Sequence, residues 1–281
     1  MKFSTTTIVI FICTFALLCV YLYYCEKKRE YFESRDFKLN FLTFGTKDSF
    51  TKSLLRIKDE AAKMEIFDDI RTLNEDDLMK HTDFWNKNKQ FIELNKRGYG
   101  YWIWKPYLIL HALKNMQDGD ILVYCDCGST IQTSGKSRML EYIDDCKKSK
   151  TGIYCFNLIY DEKEWTKMDL FVKLDMNKEE WLNSKQIMAT DMLVKKCPES
   201  IELLEKWYEL CMENNYHYLT DSPSVQKNDA SFSEHRHDQS IFSLLVKKTG
   251  GCFIQKISEP EIKDPKHPIY NSRIRDGPRL H

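Results

Sequence analysis

Short apolar stretches alternate with longer amphipathic ones along most of the chain. The short stretches are typical of strands, and the longer ones repeat their apolar residues at helical spacing. The predicted strands span residues 37–45, 65–73, 121–125, 152–159, 186–196 and 252–257. The predicted helices span residues 49–64, 106–116, 137–148, 198–214 and 237–248, and a helix-rich connector spans 76–96. Strands that alternate with helices predict an α/β fold, a mainly parallel Rossmann-like sheet with helices on both faces.

The stretch "ILVYC" at 121–125 is followed directly by Asp126, Cys127 and Gly128. It is apolar throughout, as expected for a strand buried on both faces. In open α/β sheets, ligands bind beyond the carboxyl ends of the strands. A carboxylate at this point is well placed to hold a divalent cation against a diphosphate, and Gly128 allows the backbone to approach a ligand closely. The alternative is an aspartate that caps the next turn.

The N-terminal stretch is the most apolar part of the chain. The run "TIVIFICTFALLCVYLYYC" at 7–25 carries no charge and approaches the roughly 20 residues that a membrane-spanning helix needs. Its terminal tyrosines and the basic residues at 27–29 are typical of a membrane interface. We therefore predict an uncleaved anchor over 1–25, a short stem over 26–36 and a single domain over 37–281. A cleaved signal peptide is the alternative, although the run is long for one and no A-x-A site follows it.

Composition excludes some classes of function. Lys+Arg and Asp+Glu both total 42, so the net charge is zero. Binding to nucleic acid requires an excess of cations, and we expect no nucleic-acid partner. Of the 10 cysteines, Cys13, Cys19 and Cys25 belong to the predicted anchor, and the others show no framework spacing. A disulfide scaffold is therefore not predicted.

The segment "RGYGYWIWKPYLIL" at 97–110 concentrates aromatic rings and cations just before the strand "ILVYC". Aromatic rings stack on bases with about 1–3 kcal/mol per base. The candidates for such an aromatic wall are Tyr99, Tyr101, Trp102 and Trp104. Lys105 or Arg97 is a candidate for pairing with a diphosphate, and a helix that begins at Pro106 would add its N-terminal amides. Burial of several of these rings in the core is the alternative.

Three motifs together resemble a known family. They are "RGYGYWIWKPYLIL…DGDILVYCDCG", "WTKMDLF" at 165–171 and "HRHDQSIFSLL" at 235–245. Over residues 38–260 the chain resembles GT-A-fold nucleotide-diphospho-sugar glycosyltransferases of the small membrane-anchored or viral type. The resemblance implies a hexosyl transfer from a nucleotide-sugar donor, with a UDP-sugar favoured, to a glycan, protein or lipid acceptor. It also implies Mn²⁺ or Mg²⁺ near a D-x-D motif. The chain departs from this motif because Gly128 or, in the reverse direction, Tyr124 stands where the second acid is expected.

The resemblance also implies roles for the third motif. Asp238 is expected to contact the donor sugar or assist the transfer, and Gln239 to bind the donor. His235 or His237 is expected to complete a sparse metal site with Asp126. An Asp238 that only caps a helix is the alternative.

Three further polar residues are candidates. Lys167 and Asp169 are candidates to reach the acceptor or the diphosphate, and a solvated loop is the alternative. Asp191 interrupts an apolar predicted strand, which makes it a candidate catalytic carboxylate. An inverting transfer needs a base, which would be Asp191 or Asp238, whereas a retaining transfer needs none.

Two other functions remain open at this point. A zinc hydrolase would use His235 and His237 with Cys125 or Cys127, but no C-x-x-C or H-E-x-x-H spacing accompanies them. A catalytically inactive, membrane-tethered binding protein of the same fold is the second alternative, which the missing second acid permits. The resemblance implies a type II single-pass protein with its body in the secretory-pathway lumen, whereas the basic flank favours the cytoplasmic face.

Overall fold

The computed structural model describes residues 10, 12–23, 26 and 35–276 of the chain. The chain divides into two compact units, Met1–Lys38 and Leu39–His281. In the first unit, residues 12–23 are helical. Among the described residues, no helix combines the length and the apolar character that crossing a membrane requires. The rest of the predicted anchor and most of the predicted stem lie outside the described residues, so the anchor stays a prediction.

The second unit is built on a seven-stranded mixed sheet. Its strands are β1 (Leu39–Phe44), β2 (Asp69–Leu73), β3 (Ile121–Cys125), β5 (Ile153–Asp161), β6 (Lys185–Ile187), β7 (Asp191–Lys195) and β8 (Phe253–Gln255). The strand order is β2-β1-β3-β7-β5-β6, with β8 paired to β5. Two short strands, β4 (Thr130–Ile131) and β9 (Ile269–Tyr270), form a separate antiparallel pair.

The prediction of a mainly parallel sheet is wrong. β1 runs parallel to β2 and β3, and β8 runs parallel to β5, but the pairings of β7 with β3 and β5 and of β6 with β5 are antiparallel. The single strand predicted over 186–196 is divided into β6 and β7, and β7 enters the middle of the sheet. Its first residue, Asp191, therefore lies opposite Cys125, at the edge where β1 and β3 end.

Helices cover both faces of the sheet. They are α1 (Lys47–Met64), α2 (Glu75–Met79), α3 (Thr82–Leu94), α4 (Trp104–Lys114), α5 (Lys136–Lys148), α6 (Glu162–Trp165), α7 (Met168–Lys173), α8 (Glu179–Leu182), α9 (Pro198–Tyr216) and α10 (Asp238–Thr249). Helices α4, α9 and α10 share a buried apolar cluster with Leu42, Leu122 and Tyr124 of the sheet. Helix α1 packs against β2, and α5 packs against β5 and β7. The prediction of an α/β fold with helices on both faces is confirmed.

The helices differ from the sequence prediction in two ways. Helix α4 begins at Trp104, so Pro106 is its third residue instead of its first. The region from 162 to 182, for which the sequence predicted no helix, folds into the three short helices α6, α7 and α8. Asp161 begins the first of them with a capping box that includes Glu164. This local signal is readable in the sequence but too short to predict a helix.

Candidate functional site

A cavity of about 860 Å³ opens at the edge of the sheet where β1 and β3 end. Phe44 and Gly45 line it after β1, and the segment 126–129 lines it after β3. Its remaining walls include Thr46, Asp48, Ser49, Phe50, Lys96, Arg97, Gly98, Tyr99, Trp102, Trp104, Arg236, Glu261, Asn271, Arg273 and Arg275. The volume is typical of a small-molecule site, and the position agrees with the general rule for α/β sheets.

Lys105 lies directly beneath this cavity and joins two of the predicted acidic residues. Its side chain is 4% exposed, and Nζ lies 3.1 Å from Oδ1 of Asp126 and 3.3 Å from Oδ2 of Asp238. Nζ also donates a hydrogen bond of 3.2 Å to the carbonyl oxygen of Ala189. The ammonium therefore donates one hydrogen bond to a backbone carbonyl and forms ion pairs with the two carboxylates. The sequence placed Lys105, Asp126 and Asp238 in one site, and the structure brings them together.

Asp126 is the member of this group that reaches the cavity. Its side chain is 32% exposed, whereas Lys105 and Asp238 do not form part of the cavity wall. The hydroxyl of Tyr124 donates a hydrogen bond of 2.6 Å to Oδ1 of Asp126, the same oxygen that faces Lys105. The carboxylate is therefore held from below by one cation and one phenol.

The charges in this group depend on burial and on each other. Burial alone would lower the pKa of Lys105, but Asp126 and Asp238 raise it above its ordinary value. Burial raises the pKa of Asp238 to about 6, although Lys105 opposes this shift. Burial also raises the pKa of Tyr124 well above its ordinary value, with a further contribution from Asp126. Lys105 is thus charged and Tyr124 is a neutral donor at neutral pH.

The glycine-rich aromatic turn beside the cavity has an unusual backbone. Residues Gly98 to Trp102 all have positive φ, with values of 58°, 54°, 83°, 51° and 61°. Glycine adopts this left-handed region freely, but each L-residue in it costs roughly 1–2 kcal/mol. Gly98, Tyr99 and Trp102 of this left-handed turn line the cavity. Strain of this kind persists where surrounding structure enforces it, and such residues cluster at functional sites.

The predicted aromatic wall is formed in part. Tyr99, Trp102 and Trp104 line the cavity, together with Phe44, which contacts Trp104 at 4.2 Å between ring centroids. Trp104 is 5% exposed and its indole N–H donates to the carbonyl of Gly98, so it is mainly a core residue. Tyr101 does not line the cavity, and its ring packs on the imidazole of His237 at 4.8 Å. The expectation of donor binding by Tyr101 therefore does not agree with its position.

Arg97 lines the cavity, but two carboxylates already neutralise its charge. Its guanidinium contacts Asp221 at 3.0 Å and Glu234 at 3.2 Å. Arg236, which the sequence did not single out, also lines the cavity and lies 4.1 Å above the ring of Trp165. A free diphosphate-binding role for Arg97 would require it to exchange these partners.

The C-terminal segment Asn271–Arg275 closes one side of the cavity, a position that no sequence pattern predicted. The segment follows β9, which pairs with β4 just beyond Gly128. A Cβ atom on Gly128 would lie 3.2 Å from the carbonyl oxygen of Ile274. The close approach that the sequence predicted at Gly128 is therefore made by the chain's own backbone. The segment also brings Arg275 over the ring of Phe50, at 4.9 Å.

Asp191 lies below the floor of the cavity. Its side chain is 0% exposed, and Oδ1 accepts a hydrogen bond of 3.4 Å from Ser129. Burial, followed by the nearby charge of Asp126, raises the pKa of Asp191 to about 8. A base must reach the proton that it removes, so the expectation of a catalytic base at Asp191 does not agree with this position.

Lys167 and Asp169 bind the chain's own loop. The Lys167 ammonium donates to the carbonyls of Thr220 and Ser222, each at 3.2 Å. Asp169 accepts hydrogen bonds from the backbone amides of Val225 and Gln226 at 2.8 and 2.7 Å. Neither residue lines the cavity. Donor or acceptor binding by these two residues does not agree with their contacts, because their polar atoms hold the segment 220–226.

The two histidines of the third motif are also turned inward. His235 is buried, its Nε2 lies 2.8 Å from the carbonyl of Tyr218, and its Nδ1 accepts from the backbone N–H of Lys167 at 3.3 Å. His237 is buried with its Nδ1 2.9 Å from the carbonyl of Leu219 and its Nε2 3.7 Å from Asp221. Burial lowers the pKa of both imidazoles, to about 4 in His237. His235 has no nitrogen left for a metal ion.

Gln239 likewise stabilises the protein interior. Its amide nitrogen donates to Gln186 at 2.8 Å, and its oxygen accepts from the backbone N–H of Ala189 at 3.2 Å. Since the carbonyl of Ala189 in turn receives Lys105, Gln239 holds the turn before β7 against the buried ammonium. It does not line the cavity, so the expected contact with a donor does not agree with its position.

The residues around Asp126 do not fit a divalent metal site. Within the described part of the chain, no group of three or more His, Cys, Asp or Glu side chains is arranged to hold a metal ion. The place between Asp126 and Asp238 is taken by the ammonium of Lys105. The expectation of a metal site made by Asp126, His235 and His237 therefore does not agree with the geometry, and the zinc arrangement with Cys125 or Cys127 is not formed either.

No protein-family model and no curated protein matches the chain. The crystal structure of mouse xyloside xylosyltransferase 1 in its apo form is similar to this chain with a TM-score of 0.40 and 13% sequence identity. The similarity covers 80% of this chain and 86% of the mouse chain. At this level the likeness establishes neither the fold family nor the activity of the chain.

Proposed function

We propose that the chain is a glycosyltransferase that moves a sugar from a nucleoside-diphosphate donor to an acceptor. The observation that carries the proposal is the position of Asp126, at the end of the central strand β3 and at the floor of a cavity of about 860 Å³. The same cavity presents aromatic rings and guanidinium groups. A nucleotide sugar combines a flat base, two phosphoryl groups and a polyhydroxylated ring, and each has a complementary group here.

The chemistry of the transfer explains why these groups occur together. The bond between the anomeric carbon and the diphosphate oxygen breaks, and negative charge develops on the departing diphosphate. Fixed cations that face this charge lower the barrier most when water is excluded. Arg275 and Lys96 line the cavity, and neither forms an ion pair with a carboxylate among the described residues. They are the best candidates to contact the phosphoryl groups.

Asp126 is assigned to the sugar. A carboxylate accepts hydrogen bonds from hydroxyl groups, and the partly exposed carboxylate of Asp126 points into the cavity. Asp238 is 4% exposed and does not line the cavity, so we assign it the positioning of Lys105 and not a contact with substrate. This revises the catalytic role that the sequence suggested for Asp238.

A thermal-shift panel of nucleoside diphosphates tests the proposal. A ligand at about 100 times its Kd stabilises a protein by roughly 2.7 kcal/mol, which corresponds to a rise of several degrees in Tm. We expect at least one of UDP, GDP, ADP and CDP to produce such a rise, and the matching nucleoside to produce less. With the matching nucleotide sugar as the ligand, the response should fall in Asp126→Asn and persist in Asp118→Asn, a control at a residue whose side chain is 84% exposed. A panel without any response contradicts the proposal.

Several finer statements stay predictions from the sequence. They concern the hexosyl sugar, the uridine base, the glycan, protein or lipid acceptor, and the anchoring of the chain through residues 1–25. The thermal-shift panel identifies the base directly. Transfer assays with individual nucleotide sugars then identify the sugar.

A further inference from the structure

We propose that the buried ammonium of Lys105 takes the place of a divalent metal ion, so that the cavity binds a nucleoside diphosphate without metal. The inference rests on the proposed function and names the cation that organises the same site. It departs from the metal requirement that the D-x-D resemblance implied. Three independent features support it. They are the position of Lys105, the contacts that occupy one oxygen of Asp126, and the presence of further cationic side chains in the cavity wall.

The position of Lys105 is the one that a bridging cation needs. Nζ lies between Asp126 and Asp238, at 3.1 and 3.3 Å from their oxygens, and 3.2 Å from a carbonyl oxygen. A divalent ion that bridges two carboxylates would compete for this location. Helix α4 supplies the lysine from its first turn, and its whole side chain is buried between the helix and the sheet.

One of the two carboxylate oxygens of Asp126 is already occupied. Its Oδ1 accepts from Tyr124 at 2.6 Å in addition to facing Lys105. A hard divalent ion takes several oxygen ligands at short distance, and it would lie close to the positive charge of Lys105. No other His, Cys, Asp or Glu group of the described chain completes such a site. Both repulsion and the lack of ligands therefore disfavour an ion at Asp126.

The charge of the diphosphate can be balanced by side chains. Arg275 lies over Phe50 at 4.9 Å and lines the cavity, as does Lys96. A guanidinium presents two parallel N–H donors to a phosphoryl group, which gives both charge and orientation. Arg275 and Lys96 would thus neutralise the charge of the diphosphate, as a bridging metal ion does in a site with two acidic residues.

Isothermal titration of the wild-type protein with UDP, GDP, ADP and CDP, in EDTA and in Mn²⁺, tests the inference. We expect the Kd in EDTA and in Mn²⁺ to agree within about threefold. Binding that needs Mn²⁺, or that Mn²⁺ strengthens by about tenfold or more, overturns the inference and leaves the proposed function intact. If no nucleoside diphosphate binds under either condition, the proposed function itself fails.

Direct detection of bound Mn²⁺ by electron paramagnetic resonance provides a second test without nucleotide. In the wild-type protein we expect no Mn²⁺ site that depends on Asp126, so Asp126→Asn should change nothing. In Lys105→Met two carboxylates lose their cation, and we expect a new Mn²⁺ site there. Lys247→Met removes another buried lysine, paired with Glu162 at 2.8 Å, and should gain no site in the cavity. A wild-type site that depends on Asp126, or a folded Lys105→Met protein that binds no Mn²⁺, overturns the inference. If Lys105→Met does not fold, the amounts of Mn²⁺ bound by wild type and by Asp126→Asn decide: equal amounts support the inference, and less in Asp126→Asn overturns it.

Discussion

The Nζ atom of Lys105 lies 3.1 Å from Oδ1 of Asp126, beneath the floor of the cavity. The lysine comes from the first turn of α4 and the aspartate from the end of β3, so the contact ties the aromatic segment to the central sheet. Because Tyr124 binds the same oxygen, the carboxylate has one orientation, with its exposed part toward the cavity. The proposed sugar contact depends on this orientation.

Removal of the Lys105 charge should destabilise the fold strongly. Breaking a buried ion pair by deleting one partner costs about 3–5 kcal/mol, because the other charge stays buried without compensation. We expect Lys105→Met to lower the free energy of unfolding by about this amount in urea titrations.

A double variant of Lys105 and Asp238 separates the cost of the uncompensated buried charge from the cost of lost packing. In Lys105→Met/Asp238→Asn the uncompensated carboxylate of Asp238, which is 6% exposed, becomes a neutral amide. Part of the lost stability should therefore return, as a coupling of roughly 1–3 kcal/mol in a double-mutant cycle. Strictly additive effects of the two substitutions would show that the pair is not coupled.

Arg275 should contribute to nucleotide affinity but little to stability. Its guanidinium is exposed, stacks on Phe50 and faces the cavity. Loss of a charge-assisted hydrogen bond of about 1.5–3 kcal/mol predicts that Arg275→Ala weakens nucleoside-diphosphate binding by about 10- to 100-fold in isothermal titration. Arg71→Ala, at a surface arginine paired with Asp69 on β2, is the matched control and should leave the affinity unchanged. Equal affinities of the two variants would remove Arg275 from the site.

The left-handed turn gives a prediction with a matched glycine control. Gly100 has φ +83°, and a Cβ there would meet Ile92 at 2.7 Å, whereas Gly119 has φ +89° with no atom within 4 Å. Both substitutions to alanine carry the strain of a positive φ, but only Gly100→Ala adds a steric clash beside the cavity. We expect Gly119→Ala to cost about 1 kcal/mol and Gly100→Ala clearly more, with a loss of nucleotide affinity in the latter alone. Thermal unfolding and isothermal titration measure the two effects.

The stability of the protein should depend on acid pH through Glu259. Burial would raise the pKa of Glu259, but hydrogen bonds from Arg138, Tyr142 and Gln255 lower it from 4.5 to about 2. A depressed pKa in the folded state stabilises the protein above the unfolded value and ceases to do so as the pH falls through the folded value. The stability contributed by Glu259 is therefore complete above about pH 4.5 and is lost as the pH approaches 2.

Urea titrations of wild type and Glu259→Gln at several pH values measure this contribution. We expect the variant to be less stable by roughly 1–3 kcal/mol at neutral pH, and the difference to shrink below about pH 4.5. A difference that stays constant from neutral to strongly acid pH would contradict the assignment.

The sequence predicts the elements of this fold better than their pairing. Strands β1, β3 and β5 and the long helices have apolar patterns that fix their type. The pattern of 186–196 does not show that the chain bends before Asp191, nor that β7 enters the sheet antiparallel between β3 and β5. Strand direction depends on long-range contacts, which a local periodicity does not contain.

The sequence predicts which residues meet at the centre of the candidate site, but not what the polar residues around that centre contact. Lys105, Asp126 and Asp238 meet because they stand next to ends of elements that converge at one edge of the sheet. Lys167 and Asp169 look equally functional in the sequence, yet they bind backbone groups of the segment 220–226. A polar residue in a motif has the same signature whether it faces a ligand or the protein's own amides. Arg275 was missed because contacts distant in sequence bring it to the cavity, among them the pairing of β4 with β9 and the hydrogen bond from the N–H of Ile274 to the carbonyl of Gly128.

The release of nucleoside diphosphate from a panel of nucleotide sugars tests the central claim most directly. The account predicts that the wild-type protein hydrolyses or transfers at least one donor, and that Asp126→Asn lowers this rate by about 100-fold while Asp118→Asn does not. Binding of nucleoside diphosphates without turnover of any donor would instead indicate a sugar- or nucleotide-binding protein. A rate that is equal in wild type and Asp126→Asn would contradict the account.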